Sequence, residues 1–173
     1  MNKKNLINII FFIIIFAYLI FLFKLLFFKN FSPIEILDTS RAMSRRTNLN
    51  PFETITNYYI YSSKNFFVSG TNLFGNIIIF IPIGFLLKLF NTRFTSIFIF
   101  FITCFVELIQ YILAIGVADI DDIILNYIGG LIGIALYIIC NRCFKDNHKI
   151  KTIVVYSSIA ILTLYFIFYL LFV

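Results

Sequence analysis

The chain has 173 residues, of which 61% are hydrophobic and only 13% charged, and its mean hydropathy is +0.99. A soluble domain is about half apolar and about a quarter charged, so a water-soluble globule is excluded. The length suits a single domain over residues 1–173 built from spans of about 20 residues with short connections. The net charge of +6 does not indicate nucleic acid, because the 14 Lys and Arg sit mostly at the ends of apolar runs, where such residues direct membrane topology.

The first apolar run, 6–28, is interrupted only by Asn8 and Lys24 and follows Lys3 and Lys4. It is longer than the core of about 7 to 15 residues in a signal peptide, and no small-x-small cleavage site follows in KLLFFKNFSP, so it predicts an uncleaved signal anchor. Segment 30–70 holds Glu35, Asp38, Arg41, Arg45, Arg46, Glu53 and Lys64. It is too polar to span and predicts a loop. A second span is expected over 72–90, kinked at Pro82, and a third over 96–115, which carries Glu107 and Gln110. The acidic stretch ADIDD introduces a fourth over 122–140, and the basic loop NRCFKDNHKIK leads to a fifth over 153–173. The expected fold is an all-α polytopic membrane protein, a bundle of about five transmembrane helices.

An inside N-terminus places Lys3, Lys4, Lys88, Arg93, Arg142, Lys145, Lys149 and Lys151 in the cytoplasm. Lys24, Lys29, Arg41, Arg45, Arg46 and Lys64 then flank or occupy the outer loop. The cytoplasmic group lies in short segments, which are the ones that obey the positive-inside rule, so the density of charge favours N-in.

Because consecutive spans alternate in direction, the start of the second, the end of the third and the start of the fourth share one face. Asn72 with Asn76, and Glu107 with Gln110, stand at helical spacing on their spans. On a helix running from Asp119, the residues Asp119, Asp122, Asn126, Gly129 and Gly133 form one stripe. Three polar stripes thus meet at one membrane depth. Gly129 and Gly133 make a small-xxx-small pair suited to helix packing. Any one aspartate of ADIDD also suits a helix cap, and Asp121, off the stripe, is expected to be the most tolerant of substitution. Glu107 stands apart, because a charged side chain within a span costs about 2.5–3.5 kcal/mol on insertion scales and persists only with a reason. A cation such as Arg41, Arg45 or Arg46 folding over it would supply one. Cys140 and Cys143 form a C-x-x-C with Asp146 and His148 behind them, but without a thioredoxin-like context or a full zinc ligand set. No cofactor or metal is readable.

The segments NLNPFETI, NLFGNIIIFIPIGFLL, FVELIQ and DIDDIILNYIGGLIG occur in the order and spacing of the VanZ-like family of bacterial membrane proteins, which the chain resembles over residues 48–137. The resemblance carries the family's recurrent polar residues onto Asn72, Asn76, Glu107, Gln110, Asp119, Asp122 and Asn126. Many relatives place an Arg shortly before the first Asp of the acidic element, where this chain has Ile115, Gly116, Val117 and Ala118. If that Arg holds an anion there, this protein uses another cation or a different ligand. The founding member accompanies glycopeptide-resistance genes and lowers susceptibility to teicoplanin-type antibiotics. The resemblance therefore implies a multi-pass protein of the bacterial cell membrane, whose partners are the lipid bilayer and a lipid-linked wall precursor or lipoglycopeptide at the outer leaflet. The alternative is a membrane enzyme acting on a lipid or wall precursor, with the carboxylates as acid, base or ligands of a divalent cation. No nucleophile constellation identifies catalytic residues for it.

Overall fold

A computed structural model of the chain describes residues 2–28, 45–90 and 93–172, with much of 54–72 and 170–172 described by backbone alone. The elements are α1 (Lys3–Phe27), β1 (Arg46–Asn48), α2 (Glu53–Leu89), α3 (Thr95–Ile112), β2 (Val117–Asp119), α4 (Ile120–Phe144) and α5 (Asn147–Phe172). Among the described residues four helices, α1, α3, α4 and α5, are long and apolar enough to cross a membrane. Their apolar side chains are turned outward: Phe16, Phe101, Leu164 and Tyr165 are all more than 60% exposed. Lipid must cover them, and the chain is an all-α polytopic membrane protein with one short strand pair.

The expected second span differs from the others. Its apolar part, Leu73–Leu89, is shorter than theirs and would reach only about 25 Å along a helix axis, against about 30 Å of hydrocarbon. Upstream of it, 53–72 belongs to the same helix, so most of the second half of the expected 30–70 loop is helical. Hydropathy detects a span but is silent about a polar helix, and no Gly or Pro interrupts the chain between Glu53 and Phe67. Pro82 lies inside α2, where it denies the Ile78 carbonyl its usual donor.

The chain divides into two compact units, residues 1–22 with 139–173, and residues 23–138. In the first, Phe11, Ile150 and Val155 are buried. The Lys151 ammonium lies 5.5 Å from the Phe11 ring centroid and 5.9 Å from that of Phe12, a cation held on aromatic faces. The Asp146 carboxylate accepts the His148 N–H at 2.8 Å and caps α5.

In the second unit, glycines set the packing. A Cβ on Gly129 would collide with the Ile77 carbonyl, one on Gly84 with the Gly130 carbonyl, and one on Gly133 with the Ile81 carbonyl. The backbones of α2 and α4 therefore touch, as small-xxx-small pairs permit. Gly130 faces α3 instead, where a Cβ would come within 2.5 Å of Ile99 Cγ2. Rings seal both contacts, Phe85 against Tyr137 at 5.7 Å and Phe100 against Tyr127 at 5.9 Å.

The boundaries of the third and fourth helices also move. α3 stops at Ile112, short of 115, because Ala114 takes a left-handed conformation with φ 49°. Its N–H bonds to the Tyr111 carbonyl at 3.2 Å, and that of Ile115 to the Gln110 carbonyl at 3.1 Å, a Schellman closure. The chain leaves this turn as β2, which pairs in parallel with β1 in the register Arg46↔Val117, Thr47↔Ala118, Asn48↔Asp119. α4 then begins at Ile120, two residues ahead of 122.

Candidate functional site

A cavity of about 340 Å³ lies in the second unit, lined by Asn48, Asn76, Glu107, Gln110, Asp119, Asp122 and Asn126, with Leu25, Leu26, Phe27, Ile115, Gly116 and Val117. Of the seven polar residues singled out as pocket candidates in the sequence, all but Asn72 line it. Asn72 lies one helical turn before Asn76 on α2, and its side chain is outside the described residues. Gly129 and Gly133 lie deeper, at the α2–α4 contact.

Every polar wall residue but Asn126 is positioned by a bond that can be named. Glu107, 4% exposed on α3, accepts the Asp119 N–H through Oε2 at 3.0 Å, which ties the strand pair to the helix. Asp119 caps α4 by accepting the Asp121 N–H at 2.9 Å, the geometry expected of an N-cap aspartate. Its other oxygen accepts Asn48 Nδ2 at 3.2 Å, which fastens the polar segment across the cavity. Asn76 of α2 donates through Nδ2 to Asp122 Oδ1 of α4. Gln110 donates through Nε2 to the Leu26 carbonyl at 2.8 Å, satisfying one of the acceptors that the end of α1 leaves open. Asn126 is 2% exposed, and its Oδ1 is buried with no partner among the described residues.

Three carboxylates and four carboxamides thus share one wall. Among the described residues no Lys, Arg or His lines it. Arg45, one of the cations considered for Glu107, stacks over the Tyr111 ring at 6.0 Å, and Arg41 lies outside the described residues. Among the described residues no group of three or more His, Cys, Asp or Glu comes together as a metal site. A second hollow, of about 420 Å³, runs along Phe98, Phe101, Ile102 and Phe105 on α3. It is apolar and suited to an acyl chain rather than to chemistry.

Two residues carry more than their sequence positions suggest. Asn48 belongs to the NLNPFETI segment, yet only its pairing with Asp119 brings it to the cavity. Asp121 corrects the expectation that it is the most tolerant of the aspartates. It is 1% exposed and accepts the Phe52 N–H at 2.6 Å, at the residue with φ 67° from which α2 starts. The stripe argument weighed only partners on the membrane helices and could not see an acceptor needed by the polar segment. Asp121→Ala is expected to lower stability in detergent by about 1–3 kcal/mol, the loss of a hydrogen bond to a charged acceptor. Asp121→Asn keeps an acceptor and is expected to lower it less. Thermal unfolding of the two variants beside wild type checks this, and an unchanged midpoint for Asp121→Ala would return the residue to the role of a dispensable cap.

Polytopic helices with buried acids and amides gathered around one cavity define a class, that of multi-pass membrane proteins with a polar cavity in the helical bundle. A family model described as VanZ/LLP1 matches residues 12–141. The chain is also 31% identical over 158 residues to "Protein VanZ" of Enterococcus faecium, with 87% of each chain covered. It belongs to the VanZ/LLP1 family. No solved structure matches it.

Proposed function

We propose that the protein lowers susceptibility to teicoplanin-type glycopeptides by engaging a lipid-linked envelope component, or the drug, in the polar cavity at the outer leaflet. The observation that carries this reading is the concentration of Asn76, Glu107, Gln110, Asp119, Asp122 and Asn126 on one cavity wall, where polar groups inside a membrane protein mark function by default. Family membership supplies the setting. Expression in a teicoplanin-susceptible bacterium is expected to raise the inhibitory concentration of teicoplanin over an empty vector. Unchanged susceptibility at verified membrane abundance would reject the reading. Turnover of a lipid-phosphate substrate by the purified protein with Mg²⁺ or Mn²⁺ would replace binding with catalysis.

The outer-leaflet placement requires the N-terminus to be cytoplasmic, an orientation that rests on the short basic segments at Lys3, Lys4, Lys88, Arg93 and 142–151. In a chain from which Cys104, Cys140 and Cys143 are removed, single cysteines at Thr47 and Ala118 are expected to react with an impermeant thiol reagent on intact cells. A cysteine at Asn147 is expected not to react. The reverse pattern would invert the topology and move the cavity to the cytoplasmic leaflet.

A further inference from the structure

The first unit, residues 1–22 with 139–173, carries a charge that its own side chains do not balance. It holds Lys3, Lys4, Arg142, Lys145, Lys149 and Lys151 against one acidic side chain, Asp146, whose carboxylate caps α5 by accepting the His148 N–H. On α4, Asp121 and Asp122 stand in the first turn, whereas Arg142 stands in the last. Membrane topology requires only that basic residues gather on one side. It does not dictate where each ammonium rests.

Lys151 rests at a defined place. It is half-buried in the second turn of α5, and its ammonium lies against the rings of Phe11 and Phe12 on α1. Aromatic faces attract a cation but carry no net charge, so this contact positions the ammonium without neutralising it. Phe11 is buried and Phe12 is more than half exposed, which puts the ammonium at a groove between α1 and α5 that opens on the lipid side. Lys4, Asn8, Phe12 and Phe16 stand four apart along α1 and form one stripe. The groove therefore has Lys4 at its mouth, Asn8 one turn in and Lys151 beside Phe12. Lys149 stands about 160° from Lys151 around the α5 axis; it is exposed and faces away from α1.

Beyond Lys151 the surface is apolar, with Phe12, Ile13 and Phe16 of α1 and Ile153 of α5 exposed. An occupant that suits both parts has negative charge at one end and hydrocarbon at the other. A soluble phosphate would meet the ammonium and leave these side chains bare. A zwitterionic headgroup would bring its own cation into a unit whose single acidic side chain is already bonded.

We propose that a phospholipid of net negative charge binds in this groove, its phosphate on Lys151 and Asn8, with Lys4 adding charge at the mouth and an acyl chain along Phe12 and Phe16. The leaflet is the one in which α1 and α5 begin. The site is separate from the polar cavity, so the failure of either reading leaves the other standing.

Native mass spectrometry of the full chain released from bilayers of phosphatidylglycerol and phosphatidylcholine in equal amounts tests it. The wild-type protein is expected to retain phosphatidylglycerol selectively. Its unfolding midpoint in detergent is expected to rise with added phosphatidylglycerol and not with sodium phosphate. Lys151→Gln is expected to weaken phosphatidylglycerol about fivefold, the contribution of one basic residue at an anionic bilayer surface. Lys149→Gln removes the same charge from the opposite face of α5 and is expected to leave the affinity nearly unchanged. Lys151→Arg keeps the charge and is expected to keep the lipid preference, so the outcome does not hang on a variant that folds poorly. Equal losses from Lys149→Gln and Lys151→Gln would mean diffuse attraction to an anionic surface and would overturn the proposal. So would a wild-type protein that shows no preference for phosphatidylglycerol, or one that sodium phosphate stabilises as well as the lipid does.

Discussion

Glu107→Gln and Asp122→Asn are expected to accumulate in the membrane at wild-type levels and yet return the teicoplanin susceptibility of a sensitive host to that of the empty vector. The amides are chosen because each can keep a bond that the carboxylate makes within the fold. A Gln at 107 still presents a carbonyl oxygen to the Asp119 N–H, which Glu107 accepts at 3.0 Å. An Asn at 122 still accepts the Asn76 amide. What each loses is charge and one acceptor. A carboxylate retained only to stitch helices together would therefore be replaced with small losses, whereas one whose charge a ligand meets would not. Susceptibility is to be measured beside membrane abundance and the unfolding midpoint. Full protection from both variants would leave the polar wall as packing and remove the basis for a functional pocket.

Gly133→Leu is expected to abolish accumulation of folded protein, and Gly133→Ala to reduce it. An added Cβ would run into the Ile81 carbonyl and stand 2.7 Å from the Phe85 nitrogen. Both obstacles are backbone, so no rotamer change relieves them, and α4 must move away from α2. Inserting even small groups into a packed contact costs about 1–3 kcal/mol, and a folded domain has only about 5–15 kcal/mol in hand. A Leu at this position separates the helices over a full turn and also draws apart Asn76 and Asp122, which are bonded across the same pair of helices. Gly75 is the control, since a Cβ there meets nothing within 4 Å, and Gly75→Ala is expected to accumulate and unfold as wild type does. Detergent extraction followed by thermal unfolding reads all three, and a wild-type midpoint for Gly133→Leu would mean that the helices do not approach as described.

The positions of these effects were legible in the sequence to different depths. The apolar runs of α1, α3, α4 and α5, the distribution of Lys and Arg, and the helical spacing of Glu107 with Gln110 and of Asp122 with Asn126 are local properties. Local sums of hydropathy and the periodicity of a helix determine them, which is why the membrane class and six of the polar wall residues could be read without coordinates. The segment matches to the VanZ-like pattern draw on the same local information. The extension of α2 back to Glu53 was missed for the same reason, since a window that measures apolarity cannot distinguish a polar helix from a loop.

Only the tertiary structure decided which polar groups are structural ties and which are left facing the cavity. The Asn48–Asp119 bond joins residues 71 apart, the Phe52–Asp121 bond residues 69 apart and the Gln110–Leu26 bond residues 84 apart. Asp121, the aspartate off the inward stripe, is the most buried of the three for this reason, and Asn126, on the stripe, has a buried Oδ1 with no partner among the described residues. Sequence periodicity assigns a side chain to a face of its own helix. It carries no information about which donor from a distant segment arrives on that face, because that depends on the close approach of backbones at Gly84, Gly129 and Gly133 and on the turn at Ala114 that brings β2 beside β1.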